Sequence, residues 1–391
     1  ETGGTEAGLG ADAAGPIPMT LPPSNFGAYF EYCRPDLIAQ MHREYLEAGA
    51  DVVETNSFGG MRATLAEYDL GERTEELNEM AARIARQVAD EFSTPERPRF
   101  VAGSIGPGTR FASLGHVRYE EPRDQVAEQA RGLLRGGVDL LLLETQFDLL
   151  GIKAGMNGCR DAMAAVGREV PIQTQVTIEL TGRMLPGTEI GAALVALDAM
   201  RPDVIGINCA TGPEEMSEHI RHLSAHSRIP ISVLPNAGLP SVVDGHMHYD
   251  LSAEQFVDFH RRFITEFGVN VVGGCCGTTP EYIRQLAEAV AEVEPTRREP
   301  HFEHGVASIY SPVLLEGDDT GGASNLIMIG ERTNANGSKK FREAMLESDW
   351  DTCVAMAKDQ VKEGSHIIDV CVDYVGRDGA ADMDEIAQRF A

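Results

Sequence analysis

Short apolar runs alternate with longer amphipathic segments through the first three quarters of the chain. In the longer segments, apolar residues recur every three or four positions, which is typical of a helix with one buried face, and the short runs are typical of buried parallel strands. The predicted strands are 51–55, 100–104, 138–144, 172–178, 204–208, 229–234 and 270–274. The predicted helices are 35–49, 75–91, 120–136, 148–166, 189–201, 213–226, 252–267 and 279–294.

This alternation of strand and helix predicts an α/β fold, a TIM (βα)8 barrel over residues 25–294. Such a barrel needs eight strands, and the first predicted helix has no clear strand before it. Residues 1–24 are rich in Gly, Ala and Pro, so we predict a flexible or atypical N-terminal segment. Within it, only residues 17–21 could supply an edge strand.

The pattern changes after the last barrel helix. Residues 295–324 are polar and carry Pro and acidic side chains, which predicts a linker between domains. Residues 325–391 then read as the truncated start of a second, partial βα barrel. Its predicted order is a strand at 325–330, a polar loop, a helical stretch at 339–364, a strand at 366–373 and a terminal helix.

Composition excludes several classes of function. The chain has 391 residues, with 33 Lys and Arg against 61 Asp and Glu, giving a net charge of −28. Because such a surface repels phosphate backbones and anionic lipid, we expect no nucleic-acid partner and no membrane partner. The seven cysteines are odd in number and widely spread, unlike a secreted disulfide framework, and no signal peptide is recognisable, so we expect a cytoplasmic protein.

Three cysteines directly follow predicted strands: Cys209 in GINCATGP, and Cys275 and Cys276 in GGCCGTTP. With the missing strand counted first, these motifs end the sixth and eighth strands, which meet at the C-terminal face of a barrel. Three convergent thiolates suit a tetrahedral Zn²⁺ with one position left for substrate. The vicinal pair could otherwise be a strained disulfide or two small buried side chains, and the third cysteine favours the metal site.

The ligand type limits the chemistry of such a site. Three thiolates give a zinc centre of net charge −1, which activates water poorly and is better suited to an incoming thiol. Metal coordination removes the proton of a thiol while its sulfur stays electron-rich, which predicts a thiolate nucleophile for alkyl transfer. No catalytic residue beyond the zinc site is predicted. His246 and His248 have a metal-like spacing, but we expect them to be solvent-facing loop residues.

The cysteine motifs resemble those of the homocysteine S-methyltransferase family, whose barrel carries a zinc site of this Cys plus Cys-Cys form. The segments ETNSFGG, GSIGP, LLLETQFD and LPNAG also resemble strand-end motifs of that family, and the resemblance extends over residues 30–294. It implies homocysteine as substrate, Zn²⁺ held by the three cysteines, and Asn236 as a displaceable fourth ligand. From the residues alone, Asn236 could equally be a turn residue.

The same resemblance implies that Glu144 helps to hold the amino group of homocysteine. The implied substrate-binding set is Glu144, Thr145, Ser104 and Asn56. From the residues alone, Glu144 could equally be an ion-paired structural acid, since an unpaired carboxylate after a buried strand would be costly.

The segments IGERTNANGSKKFREAM and GSHIIDVCVDYVGRDGAADM resemble the start of the pterin-binding barrel of cobalamin-dependent methionine synthases. The resemblance implies cobalamin and methyltetrahydrofolate as cofactors, and cobalamin-binding and folate-binding modules, mostly outside this chain, as partners. The implied pterin-facing residues are Glu331, Arg332, Thr333, Asn334 and Asp369. Cys371 stands where many relatives carry Asn. From the residues alone, ERTNANGS could equally be a polar loop that caps a helix.

The reaction implied by this resemblance is methyl transfer to the zinc-activated homocysteine thiolate, which forms methionine. Methylcobalamin would be the immediate donor and methyltetrahydrofolate the ultimate one. Two alternatives remain open: a stand-alone homocysteine methyltransferase that uses betaine or S-methylmethionine, and a truncated, non-catalytic binding remnant.

Overall fold

The computed structural model describes residues 34–243, 246–291, 293–315 and 326–390, so the predicted N-terminal segment and the possible strand at 17–21 lie outside the described residues. Seven parallel strands form one sheet whose order follows the chain. They are β1 (Val52–Glu54), β2 (Phe100–Ile105), β3 (Leu140–Gln146), β4 (Ile172–Val176), β5 (Val204–Asn208), β6 (Ile231–Leu234) and, after two further strands described below, β9 (Val271–Val272).

Helices follow the strands in the alternation that the sequence predicts. They are α1 (Pro35–Glu47), α2 (Arg62–Ala66), α3 (Thr74–Phe92), α4 (Glu120–Gly136), α5 (Leu149–Val166), α6 (Ile190–Met200), α7 (Pro213–His226), α8 (Ala253–Thr265) and α9 (Pro280–Val290). All eight predicted helices are confirmed, and the short α2 is an addition that the pattern did not predict. No helix in the described part of the chain is long and apolar enough to cross a membrane.

The two faces of the sheet differ in polarity because side chains alternate along each strand. Leu141, Leu143 and Ile205 pack with the helices in the main hydrophobic core. Residues one position away face the interior of the curled sheet, where Gln173 and Gln175 both donate to the hydroxyl of Ser232. The interior therefore carries these polar side chains, and the main apolar core lies between the sheet and the helices.

The first and last helices of the sheet lie next to each other. The Tyr45 hydroxyl on α1 donates to the carbonyl of Thr278, which follows β9, at 3.0 Å. At the end of α1, a Cβ on Gly49 would lie 2.9 Å from the Ala287 side chain of α9. The sheet is thus curled, and the complete barrel with an eighth strand between β9 and β1 stays a prediction.

Residues after β6 form a hairpin where the sequence predicted a loop. Strands β7 (Pro240–Val243) and β8 (His246–Tyr249) pair antiparallel. The expectation of a loop at His246 and His248 was therefore wrong, because strands of only four residues are too short to show a clear hydrophobic period. His248 is exposed as expected, with its Nε2 atom 3.0 Å from Asp250.

The segment predicted as a linker lies against the barrel flank in its described part. Residues 305–314 form a second antiparallel hairpin, β10 (Gly305–Ala307) and β11 (Pro312–Leu314). Arg298 donates to the carbonyls of Ser227 and Ile229, and the guanidinium of Arg228 lies 3.8 Å from the ring centre of Phe302. The domain boundaries themselves stay predictions.

The C-terminal part contains two parallel strands, β12 (Ile329–Asn334) and β13 (Ile367–Cys371), and three helices, α10 (Lys339–Leu346), α11 (Trp350–Lys362) and α12 (Gly379–Phe390). The predicted strand at 325–330 was wrong in its bounds, because β12 extends to Asn334, and the polar Thr333 and Asn334 pair with β13 after a register shift. The predicted single helical stretch at 339–364 is two helices. Ser348 adopts φ +57° between them, and Asp349 caps the second. A partial second barrel stays a prediction.

Candidate metal and substrate site

The three predicted cysteines meet at one end of the sheet. Cys209 follows β5, while Cys275 and Cys276 follow β9. The Sγ atom of Cys276 lies 3.8 Å from that of Cys209 and 3.9 Å from that of Cys275, and all three sulfurs lie within 4.8 Å of one another. All three are free thiols. The structure therefore brings together residues that are 66 positions apart in sequence, as predicted.

The spacing of these sulfurs fits a zinc ion. A tetrahedral Zn²⁺ with Zn–S bonds of about 2.3 Å places its sulfur ligands about 3.8 Å apart. The separations of the Cys276 sulfur from those of Cys209 and Cys275, 3.8 and 3.9 Å, match that edge length. A disulfide would instead need about 2.05 Å between sulfurs. The donor set and its geometry thus favour a tetrahedral thiolate site over the vicinal disulfide.

Backbone hydrogen bonds hold the cysteine pair. The amide of Cys276 donates to Oδ1 of Asn236 at 3.0 Å, and its carbonyl accepts from Ala237. The amide of Cys275 donates to the carbonyl of Pro235. Asn236, which is buried, therefore lies beside the cluster as predicted, and in this structure its oxygen holds the Cys276 backbone. Its role as a displaceable metal ligand stays a prediction.

The thiols also perturb each other electrostatically. Hydrogen bonds from the thiols of Cys209 and Cys275 lower the pKa of Cys276, and the Tyr249 hydroxyl contributes in the same direction. The hydrogen bond with Cys209 in turn raises the pKa of Cys275. The cluster therefore favours at least one thiolate, which is the form that binds metal.

Glu144 lies at the end of β3 in the polar interior. Its side chain is buried and accepts hydrogen bonds from the Ser104 hydroxyl at 2.5 Å and from Nδ2 of Asn208 at 3.3 Å. Burial raises the pKa of this carboxyl to about 7, with the Ser104 hydrogen bond opposing the shift. Both hydrogen-bond partners are neutral. A buried carboxylate with neutral partners can accept a ligand ammonium without first breaking an ion pair.

Two of the other predicted substrate residues, Ser104 and Thr145, are connected to this carboxyl by hydrogen bonds, Thr145 through Asn208. Ser104 and Thr145 are buried, and Asn56 is half-buried just after β1. The backbone of Thr145 is left-handed, with φ +56°, and its amide donates to Oδ1 of Asn208 at 2.7 Å. The roles of these residues in binding stay predictions.

Two residues inside the quoted motifs were not singled out from the sequence. Glu54 ends β1, and desolvation together with the negative charge of Glu144 raises its pKa. Asn208 precedes Cys209 and is fully buried. Strand alternation could have found both, because it places each on the polar, interior side of its strand.

The predicted pterin-facing residues lie at the adjoining ends of β12 and β13. The Thr333 hydroxyl donates to the carbonyl of Asp369, and Nδ2 of Asn334 donates to the Asp369 carboxylate at 2.9 Å. Glu331 and Arg332 are exposed. The sulfur of Cys371 accepts from Asn336 at 3.6 Å. These five predicted residues are thus neighbours, and their role toward a pterin stays a prediction.

Replacing Gly277, which directly follows Cys276, by alanine is expected to lower the free energy of unfolding. Gly277 has φ +81°, and a Cβ there would lie 2.5 Å from the ring of Tyr249. We expect a loss of about 3 kcal/mol in unfolding free energy, from left-handed strain and overpacking together, measured by denaturant titration. Gly167→Ala is the matched control: φ is +72° and nothing lies within 4 Å, so the strain alone remains. Equal losses in the two variants would contradict the packing of Tyr249 on Gly277.

Comparison with known proteins agrees with this geometry. Residues 15–290 match the family model described as homocysteine S-methyltransferase, and residues 330–391 match the one described as pterin binding enzyme. The methionine synthase of Mycobacterium tuberculosis is 50% identical over 358 residues, and that of Mycobacterium leprae is 50% identical over 363 residues. Each alignment covers 92% of this chain, which spans 30% of the length of each relative.

Solved structures show the same fold. The metallated form of the homocysteine methyltransferase MmuM from Escherichia coli is 25% identical, with a TM-score of 0.57, over 68% of this chain and 89% of that one. Its oxidized form is 24% identical with the same TM-score and coverage. The curled parallel sheet and the three convergent cysteines agree with a family match over most of the chain. This chain therefore belongs to the homocysteine S-methyltransferase family, and a pterin-binding domain follows at residues 330–391.

Proposed function

We propose that this chain carries the homocysteine-activating part of a methionine synthase, which transfers a methyl group to the homocysteine sulfur. The observation that carries the proposal is the trio of cysteine sulfurs, spaced as three corners of a tetrahedral zinc site beside a buried carboxyl. The similarity to the two mycobacterial methionine synthases supports homocysteine as the substrate of this chain.

Cys209, Cys275 and Cys276 would hold the zinc ion, and Asn236 would be the displaceable fourth ligand. When bound, zinc would supply Lewis acidity that lowers the thiol pKa of homocysteine and keeps its sulfur as a thiolate near neutral pH. The Asn236 side-chain oxygen accepts the Cys276 amide, and the Pro235 carbonyl accepts the Cys275 amide, which would hold the vicinal cysteines in place for the metal.

Residues of β3 and its neighbours would orient the substrate. The ionised carboxylate of Glu144 would accept the homocysteine ammonium, with Ser104 and Thr145 beside it and Asn56 at the end of β1. Holding the amino acid at both ends, amino group and sulfur, leaves the sulfur facing the open end of the sheet. Orientation of this kind converts a bimolecular encounter into a near-attack arrangement.

In the transfer step the homocysteine thiolate attacks the methyl carbon. A sulfur–carbon bond forms, the bond between methyl and donor breaks, and its electron pair stays with the donor. We propose methylcobalamin as immediate donor and methyltetrahydrofolate as ultimate donor. The match of residues 330–391 to a pterin-binding family supports the folate assignment, with Glu331, Arg332, Thr333, Asn334 and Asp369 as pterin-facing residues. Cobalamin-binding and folate-binding modules would be the partners of this chain.

A donor assay tests this proposal. The purified, zinc-loaded chain is given homocysteine with methylcobalamin, betaine or S-methylmethionine, and methionine is quantified by mass spectrometry. We expect methionine from methylcobalamin alone, at a rate at least tenfold above the uncatalysed reaction, because the site supplies both thiolate and orientation. Turnover with betaine or S-methylmethionine would instead identify a stand-alone methyltransferase.

A binding measurement decides the remaining alternative. Homocysteine is titrated into the zinc-loaded chain in a calorimeter, with methionine as a ligand that lacks a free thiol. Full zinc occupancy without homocysteine binding would identify a non-catalytic remnant.

We also propose the cytoplasm as the setting. A reducing compartment preserves free thiols, and the free thiols of the described residues are Cys159, Cys209, Cys275, Cys276, Cys353 and Cys371.

A further inference from the structure

Asn208 connects the two halves of the proposed site. It is the last residue of β5, immediately before Cys209, and its side chain is fully buried in the polar interior. Its oxygen Oδ1 accepts the backbone amide of Thr145 at 2.7 Å. Its nitrogen Nδ2 donates to the Thr145 hydroxyl at 2.9 Å and to the Glu144 carboxyl at 3.3 Å. The same nitrogen lies 4.0 Å from Sγ of Cys275.

The hydrogen-bond pattern determines which way this amide faces. A backbone N–H can only donate, so the side-chain atom opposite the Thr145 amide must be the oxygen. The NH₂ group is thereby directed at the Thr145 hydroxyl and the Glu144 carboxyl, both of which can accept. Aspartate, which has the same shape, would direct an oxygen at another carboxyl and repel it. The position therefore requires an amide for chemical reasons and not only for size.

Asn208 also lies between two strained backbone positions. Thr145 has φ +56°, and Cys209, the next residue, has φ +63°; both conformations cost a non-glycine residue about 1–2 kcal/mol. Such conformations persist only where surrounding contacts hold them. The paired hydrogen bonds between Asn208 and Thr145 supply such contacts, and they couple the conformation of the carboxyl-bearing turn to that of the cysteine-bearing turn.

Resting on the function proposed above, we propose that Asn208 is a positioning residue that fixes Glu144 and Thr145 relative to the cysteine sulfurs, and so sets the distance between the site of the substrate ammonium and that of its sulfur. Asn208 itself acts through these neighbours. A ligand that must satisfy both ends at once is sensitive to that distance, whereas metal alone is sensitive only to the placement of the sulfurs.

The test compares Asn208→Asp and Asn208→Ser with wild type, and Asn157→Ala is the matched control. Asn157 is a half-buried amide on α5 that donates to the Tyr119 hydroxyl at 2.7 Å, away from the cysteines. Each protein is loaded with Co²⁺, and metal affinity and homocysteine affinity are read from the cobalt–thiolate absorption. Circular dichroism checks folding, and Thr145→Val, which removes one acceptor of the amide, serves if neither Asn208 variant folds.

We expect Asn208→Ser to weaken homocysteine binding about tenfold and Asn208→Asp about a hundredfold, while Asn157→Ala stays within twofold of wild type. This order distinguishes positioning from filling of space, because serine leaves the larger void while aspartate repels Glu144. We expect metal affinity to fall about tenfold in both variants, as is typical when a residue that orients metal ligands is lost. Where Thr145→Val is used, we expect smaller losses of the same kind.

Two outcomes would overturn the inference: unchanged metal and homocysteine affinity in the Asn208 variants, or a greater loss of homocysteine affinity in Asn208→Ser than in Asn208→Asp. Failure of the proposed function gives a different result. In that case wild-type protein binds Co²⁺ but its absorption does not respond to homocysteine, and the metal affinities of the variants still decide whether Asn208 positions the cysteines.

Discussion

Cys276→Ala is expected to abolish stoichiometric zinc binding. We expect about one zinc per chain in the wild type and a loss of more than about 100-fold in zinc affinity in the variant, because removal of a ligand exceeds the 10–100-fold cost of losing a residue that only orients one. Methionine formation should fall in parallel, since the substrate thiol then keeps its ordinary pKa. Zinc content is measured by plasma mass spectrometry, and affinity by competition with a chelator.

Cys371→Ala is the matched control for this experiment. Cys371 is a half-buried free thiol at the end of β13, whereas Cys276 is an exposed free thiol, and Cys371 lies beside Asn336 in the C-terminal part of the chain. We expect its zinc content to equal that of the wild type. One zinc per chain in Cys276→Ala, with affinity preserved, would exclude the three-cysteine site and the function that rests on it.

Homocysteine affinity is expected to depend on the ionisation of Glu144. Burial raises the pKa of this carboxyl to about 7, so the protonated form prevails at lower pH and cannot pair with an ammonium. Between pH 8 and pH 6 the affinity should therefore fall about tenfold. Glu144→Gln should bind homocysteine about 10–100-fold more weakly at pH 8, the usual cost of losing a hydrogen bond to a charged group. Both quantities are measured by calorimetric titration over that pH range.

The comparison between variants isolates the contribution of Glu144. Release of the substrate thiol proton also depends on pH, but it does so equally in wild type and in Glu144→Gln, so the carboxyl accounts for the difference in slope. Glu218→Gln, at an exposed position on α7, should leave both affinity and slope unchanged. A variant Glu144→Gln with the wild-type slope would show that another group binds the ammonium.

Much of the curled sheet and its helices could be predicted because the hydrophobic period within each segment is enough to identify it as a strand or a helix. β5 begins and ends where the apolar run 204–208 does, and α4 and α7 have their predicted bounds. The cysteine cluster could also be predicted, because parallel strands end at one face and bring their following residues together. These inferences need only periodicity and chain order.

The features that the sequence did not predict depend on contacts between distant residues. Thr333 and Asn334 are polar and pair with β13 in a parallel sheet, and such backbone pairing leaves no trace in hydrophobicity. Glu144 raises the pKa of Glu54 and accepts a hydrogen bond from Asn208. Both effects depend on proximity across the sheet interior, which the sequence does not show. The hairpin at 240–249 consists of two strands of four residues each, and its sequence resembles that of a loop.

The hairpin of β10 and β11 limits how far the C-terminal unit, residues 326–390, can lie from the curled sheet. Because the hairpin packs on the barrel flank, only residues 315–328 join its end to β12, which limits the separation of these two points to about 50 Å. Arg118 and Asp384 form an exposed ion pair between the two units, and such a pair contributes only about 0–1 kcal/mol. The covalent tether, rather than this weak ion pair, therefore accounts for a high local concentration of the pterin-binding unit beside the curled sheet.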